Sequence, residues 1–450
     1  MKNITIDLFL IICILLISHP CRSQDATYQL PVQGQQTIVK YLTTGEWIIY
    51  YQTPIGEKYF ARTGFSSCSI VKISNDYIVQ DFEVDNDTVV FCGKTTADKG
   101  FIGWFAVSSF FDGTSAIIHV DPTLALANVS CLHDIELFRD ASGQVHVAGY
   151  GRLNSSQTVT YCAFEAAPSQ TGIPGMKYRI KPLACSSEVL DIAVTDNYVV
   201  LSGARTGYSQ QTTSYYTILS VFPKYNMLGL ASDTYYEYNP AGILNNVEPF
   251  HSQMKVAHIS ADTVAVLAYD NDSVIHTYGL CIRTYDLSNN GMMTSSRRID
   301  FGTTRPWNLS GLKYVKSSRH LQILNDGVLL YPYTGVPRGS VLHVENTNAF
   351  PVQTNYDSLS SGNRYHSLTA GFGYLACGYE PSNYNIQFYW NSMEEEGFCS
   401  NRSVCTIAGN SVTLPYFGTC ASASATFTPL DMQPEVCWGP FSLNTSTVCE

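Results

Sequence analysis

The chain has 450 residues and a formal net charge of −11, and its charged residues make up 14% of it, well below the roughly 25% of an average globular chain. So acidic a chain has no electrostatic route to a phosphate backbone, which excludes nucleic acid as an expected partner. Thirty tyrosines, 21 phenylalanines, 32 glycines and 19 prolines favour many short strands joined by turns over helices.

The first element is an apolar run, Leu8 to Ile17, behind the mildly positive start Met1-Lys2-Asn3. Ten residues fall far short of the roughly 20 that span a bilayer, and the run has the length of a signal-peptide core. Residues 1–23 are therefore expected to be a leader cut near Ser23, leaving an exported mature chain. Ser18-His19-Pro20 ahead of Cys21 does not form a lipobox. No later segment is long and apolar enough to form a transmembrane helix.

Residues 24–393 are expected to be a repeat domain. Trp47–Tyr51 and Tyr59–Arg62 suggest the strands of a partial first unit. A clear repeat follows. Val79-Gln-Asp81-Phe-Glu83-Val84 leads through Asn-Asp-Thr to Val89-Val-Phe-Cys-Gly93. Leu132-His-Asp134-Ile-Glu136-Leu137 leads to Val145-His-Val-Ala-Gly149, and Val189-Leu-Asp191-Ile-Ala-Val194 to Val199-Val-Leu-Ser-Gly203. Weaker copies occur at His258–Ala268, Leu312–Tyr331 and His366–Gly378. Gly93 and Gly378 lie 285 residues apart over five steps, an average of 57 per unit. Each unit reads as strand, tight turn, strand, polar loop and strand, with third strands at Gly103–Val107, Val159–Phe164, Tyr216–Val221, Tyr278–Arg283 and Ile386–Trp390. No stretch has helical periodicity. The expected fold is all-β, a β-propeller of six or seven antiparallel blades, seven preferred.

Residues 394–450 form a cysteine-rich C-terminal segment. Two readings of it stand: short strands at Ser411–Pro415 and Ala425–Thr428 that close the ring against the N-terminal unit, which we prefer, or a small appendage held by disulfides. The mature chain carries twelve cysteines, and outside the reducing cytosol such residues tend to pair. Cys399, Cys405, Cys420, Cys437 and Cys449 are the disulfide candidates, with Cys399–Cys405 the expected local pair. Cys92 and Cys377 share one repeat position inside apolar strands and are expected to be buried free thiols. No Cys-x-x-Cys spacing points to zinc.

The stretch Asp81-Phe-Glu-Val…Val89-Val-Phe-Cys-Gly93, followed by Gly100-Phe-Ile-Gly-Trp-Phe-Ala-Val107, resembles a group of uncharacterised exported propeller-like proteins of gut and oral Bacteroidales. The likeness covers roughly Ile70 to Phe222. It implies a cell-envelope or surface location and carries over no activity and no catalytic residue.

Asp81, Asp134 and Asp191 are the sharpest polar signal. They form either a carboxylate ring at a channel mouth able to hold a cation, or a set of acceptors for backbone amides at each blade turn. Recurrence in every strong unit favours the architectural role. Glu83 and Glu136 lie two residues on, along the same strand face. Gly93, Gly149, Gly203 and Gly378 are expected at equivalent places at the end of each second strand, where a side chain would crowd a neighbour. No His-Glu-x-x-His, Gly-x-Ser-x-Gly or Walker pattern occurs; no catalytic residue, metal or cofactor is assigned. Seven Asn-x-Ser/Thr sites, from Asn86 to Asn444, are near chance for such a chain. Two functions remain. One is a non-catalytic binding or scaffold protein using a propeller face, its ligand an unidentified glycan, peptide or protein. The other is a secreted carbohydrate- or peptide-active enzyme with acids from several blades.

Overall fold

Turn chemistry sets the strand lengths. Leu42–Glu46, Thr53–Glu57, Thr95–Lys99 and Asp140–Gln144 each close with two backbone hydrogen bonds, one between the ends of the five residues and one from the fourth residue to the first. The fourth place has positive φ and holds Gly45, Gly56, Asp98 or Gly143, as a type I turn followed by a left-handed residue requires.

Such turns chain the strands into antiparallel units. The structure is a computed structural model that describes residues 26–63, 68–86, 88–110, 118–121, 129–153, 160–169, 172–182, 188–208, 213–224, 234–238, 254–272, 277–289, 291–300, 309–315, 320–325, 340–345, 353–358, 364–370, 374–379, 383–391, 403–409, 423–426, 430–432, 436–437 and 444–447. It is all-β, and the described residues hold no α-helix, only a 3-10 turn at Val107–Phe110. None of their helices is long and apolar enough to cross a membrane.

After β1 (Ala26–Gln33), the first unit is β2 (Gln35–Tyr41), β3 (Trp47–Gln52), β4 (Lys58–Thr63) and β5 (Cys68–Ile73). The second is β6 (Tyr77–Asp85), β7 (Thr88–Thr95), β8 (Gly100–Ala106) and β9 (Ile118–Asp121). The third is β10 (Val129–Arg139), β11 (Val145–Leu153), β12 (Thr160–Ser169) and β13 (Gly172–Pro182). The fourth is β14 (Glu188–Val194), β15 (Tyr198–Tyr208), β16 (Thr213–Pro223) and β17 (Thr234–Tyr238). The fifth is β18 (Lys255–Ser260), β19 (Thr263–Asp272), β20 (Thr277–Asp286) and β21 (Met292–Asp300). The sixth is β22 (Leu309–Val315), β23 (His320–Asn325), β24 (Ser340–Glu345) and β25 (Gln353–Ser358). The seventh is β26 (Arg364–Ala370), β27 (Tyr374–Tyr379) and β28 (Asn385–Asn391), with β1 paired antiparallel to β28 as its fourth strand.

The first strands of successive units pack on one another. β2 meets β6, β6 meets β10, β10 meets β14, β14 meets β18, β18 meets β22, β22 meets β26, and β26 meets β2. Apolar faces fill the spaces between units. Tyr50, Phe60, Phe82, Phe91, Phe101 and Phe105 form one cluster between the first two units, with Phe60 edge-on to Phe82 at 5.3 Å. Val90, Ile102, Trp104, Leu132 and Phe164 join the second and third units. Trp47, Ile49, Tyr51, Cys377 and Ile386 join the first and seventh. Each buried aromatic contributes roughly 2 kcal/mol by area alone.

The tail adds β29 (Ser403–Gly409), β30 (Ala423–Thr426), β31 (Leu430–Met432), β32 (Val436–Cys437) and β33 (Asn444–Thr447). β29 lies between β21 and β25, β30 pairs with β13, β31 with β9, β32 with β5 and β33 with β1. The expected closing strand Ser411–Pro415 lies outside the described residues. The stretch expected at Ala425–Thr428 overlaps β30, which pairs with the third unit and not with the N-terminal one. The strand that joins the N-terminal end to the last unit is β1.

Candidate functional site

The site begins with a backbone irregularity. In β6, β10 and β14 the pairing with the next strand slips by one residue at Gln80, His133 and Leu190. A bulge re-aims the side chains around it. Here the bulged residue and the aspartate after it, Asp81, Asp134 or Asp191, line one cavity of about 300 Å³. The bulge also explains the glycines. A Cβ on Gly93 would run into the carbonyl oxygen of Ile78, and one on Gly151 into that of Cys131, three residues before Asp81 and Asp134 respectively.

This corrects one residue of the sequence reading. Gly93, Gly203 and Gly378 sit beside Cys92, Ser202 and Cys377, the partners of Asp81, Asp191 and Ser367. In the third unit Asp134 pairs with Tyr150, so Gly151, not Gly149, holds the equivalent place. The β10–β11 hairpin is longer, and Val147, not Val145, corresponds to Val89 and Val199. A slip of two residues preserves the alternation of faces and so leaves no trace in the apolar pattern.

All seven first strands reach the cavity. At the aspartate level they bring Ile38, Asp81, Asp134, Asp191, Lys255, Gly311 and Ser367, and two residues further in, Lys40, Glu136 and Lys313. Asp81 accepts a hydrogen bond from the Ile135 amide at 3.3 Å, and Asp191 one from the Val256 amide at 2.7 Å. The Ser367 hydroxyl accepts one from the Val39 amide at 3.0 Å. The amides belong to the next unit's first strand rather than to a turn, so these side chains fasten one unit to the next.

Three lysines answer the acids. Lys40 Nζ lies 3.3 Å from Asp81 Oδ1 and also pairs with Glu83. Lys255 Nζ lies 3.1 Å from Asp191 Oδ1. Burial works to lower the Lys40 ammonium, but Asp81, Glu83, Glu136 and Asp134 outweigh it and hold its pKa well above the usual lysine value. Lys255 is raised in the same way, burial being opposed by Asp191, Asp134 and Asp81. Asp134 differs. Burial, with Asp81 and Asp191 on either side and a hydrogen bond to Asp81, pushes its carboxyl far above the normal range. Burial and the Glu83 charge lift Glu136 to about 8, although Lys313 and Lys40 pull it down. The surroundings of Asp134 and Glu136 therefore favour the protonated form of both acids, which can donate hydrogen bonds.

Beside them His133 is held neutral, its pKa lowered to about 4 by burial and by Arg152 and Lys94. Its ring stacks on Tyr150 at 5.9 Å. Burial raises the Cys131 thiol, 3.9 Å from His133 Nδ1, to about 11, so this pair supplies no thiolate at neutral pH. Among the described residues, no group of three His, Cys, Asp or Glu side chains converges as a metal site. The carboxylate ring considered from the sequence is in part neutralised by lysines.

The sequence reading missed Lys40, Lys255, Lys313 and Tyr150. Lys255 stands where its strand's aspartate would be, and aligning Val264–Ala268 on Val199–Gly203 places it there to within one residue. Cys92, Cys131, Cys162 and Cys377 are buried free thiols. Of the disulfide candidates, Cys405 and Cys437 fall in β29 and β32, where only the backbone is described. Cys399, Cys420 and Cys449 lie outside the described residues. No family model matches the chain, and no curated protein is detectably similar to it.

Proposed function

We propose that the seven units are blades of a β-propeller, that the chain is exported, and that it is a binding protein whose ligand enters the axial cavity. One observation carries this reading: the first strands of all seven units line one polar cavity. The cyclic packing of those strands and the fastening of units by side-chain-to-amide bonds fit a propeller. The apolar leader Leu8–Ile17 supports export, and the resemblance to exported Bacteroidales proteins agrees with it. Concave sites with a few convergent polar groups are the usual ligand sites. Binding is favoured over catalysis because Asp81, Glu83 and Asp191 are engaged by lysines. Of the acids described at the cavity only Asp134 and Glu136 make no ion pair, and their raised pKa values favour the protonated form, which is no nucleophile.

Acid-base catalysis is the second reading, favoured by the raised pKa values of Asp134 and Glu136 beside the lysine-paired Asp81 and Glu83, since acids held in different environments suit such work. A glycan and peptide array, probed with the mature chain and with Gln80→Trp, tests the first reading. Gln80 is exposed at the cavity wall, so the indole should block entry without disturbing the core. Loss of the array signal in the variant is the expected result, and an unchanged signal places the ligand elsewhere. Hydrolysis of an array ligand that Glu136→Gln abolishes would move the reading to catalysis.

A further inference from the structure

The cavity holds more acids than it can balance. Four carboxyl groups, Asp81, Asp134, Glu136 and Asp191, line it with three lysines, Lys40, Lys255 and Lys313, and Glu83 adds a fifth acid against Lys40. Lys40 pairs with Asp81 and Glu83, and Lys255 with Asp191. Among the described residues Asp134 and Glu136, two residues apart on one face of β10, make no ion pair, and burial beside other carboxyl groups raises the pKa of both. A second, independent feature lies beside them. Tyr150 lines the same cavity and is only 5% exposed, and none of the hydrogen bonds described above involves its hydroxyl.

A positive charge placed among these three groups would let both acids ionise and would pair with the phenol oxygen. The volume of about 300 Å³ is room for about ten waters at roughly 30 Å³ each, so the occupant has about ten heavy atoms or fewer. Ile38, Leu190 and Leu368 supply apolar wall for a short carbon chain. An anion would meet Lys313 but also the carboxylates of Asp81 and Asp191.

We propose that the cavity binds a small organic amine, its ammonium held by Asp134, Glu136 and Tyr150. This deepens the reading of the axial cavity as the binding site and rests on it.

Isothermal titration calorimetry at pH 7 tests it with 1,4-diaminobutane, neutral 1,4-butanediol and dianionic succinate, each in two buffers of different ionisation enthalpy. The expected result is that the diamine alone binds and releases protons. Asp134→Asn with Glu136→Gln should weaken it about tenfold or more, the scale of losing a charged hydrogen bond, and end the proton release. Lys313→Gln removes a repelling charge and should tighten binding several-fold, which structural damage would not do. It also keeps the test alive should the double variant fail to fold. Binding of butanediol or succinate without the diamine overturns the amine and leaves the cavity reading standing. Diamine binding without proton release, indifferent to these variants, also overturns it. Silence from all three probes overturns it too, and the cavity reading then survives only if Gln80→Trp blocks an array ligand.

Discussion

Replacing Glu136 by glutamine should flatten the stability of this protein between about pH 5 and 8. The folded state holds a proton on Glu136 up to about pH 8, whereas an ordinary glutamate loses it near 4.5. Between those values the folded chain binds a proton that the unfolded chain has lost, so stability falls as pH rises and levels off above 8. A full shift of that size corresponds to about 5 kcal/mol, at roughly 1.4 kcal/mol per pH unit. Coupling to Glu83 and contact with cavity water reduce the expected effect to about 2 kcal/mol. The raised lysines do not blur this window, because their contribution is complete throughout it and disappears only above the ordinary lysine range. Asp134 adds a slope of the same sign, so Glu136→Gln reduces the trend and the double variant with Asp134→Asn removes most of it. Urea unfolding of wild type and variants at pH 5, 6, 7, 8 and 9 measures the slopes. Equal losses in wild type and Glu136→Gln across that range would refute the reasoning.

Asp191→Ala strands Lys255 and the Val256 amide; it should cost about 3 kcal/mol in urea unfolding, with part recovered in Asp191→Ala/Lys255→Met. Gly151→Ala should cost at least about 2 kcal/mol, because its Cβ meets the Cys131 carbonyl. Gly56→Ala, with φ of 89° and nothing within 4 Å, should cost only about 1 kcal/mol in the same experiment. Burial lifts Cys162 and Cys377 to about 12 and Cys131 to about 11. Iodoacetamide at pH 8 should therefore leave these thiols unlabelled in the folded protein and label them in guanidinium; rapid labelling of the folded chain would contradict the buried positions.

The strands were legible because turn residues and period-two alternation are local properties. Val79–Gly93 and Val189–Gly203 also showed the Asp-to-Gly spacing of a bulged hairpin, though not the bulge itself. In the third unit a longer hairpin moved the equivalent glycine from position 149 to 151 with the pattern of faces unchanged, so the four-residue step from Val145 selected the wrong one. The acids of the cavity were visible because they recur. Its lysines were not, because Lys40, Lys255 and Lys313 occur in three units with different local sequences and meet the acids only through packing between units. The role of Asp81 and Asp191 was likewise hidden, since the amides they bind lie 54 and 65 residues away.

The most direct test of the central claim is a crystal structure of the mature chain grown near pH 7 with 1,4-diaminobutane. The account predicts seven antiparallel units around one polar axis, Asp81 and Asp191 bound to the amides of Ile135 and Val256, and diamine density beside Asp134, Glu136 and Tyr150. An axis closed by apolar side chains, or carboxyl groups of β6, β10 and β14 directed away from one another, would contradict it.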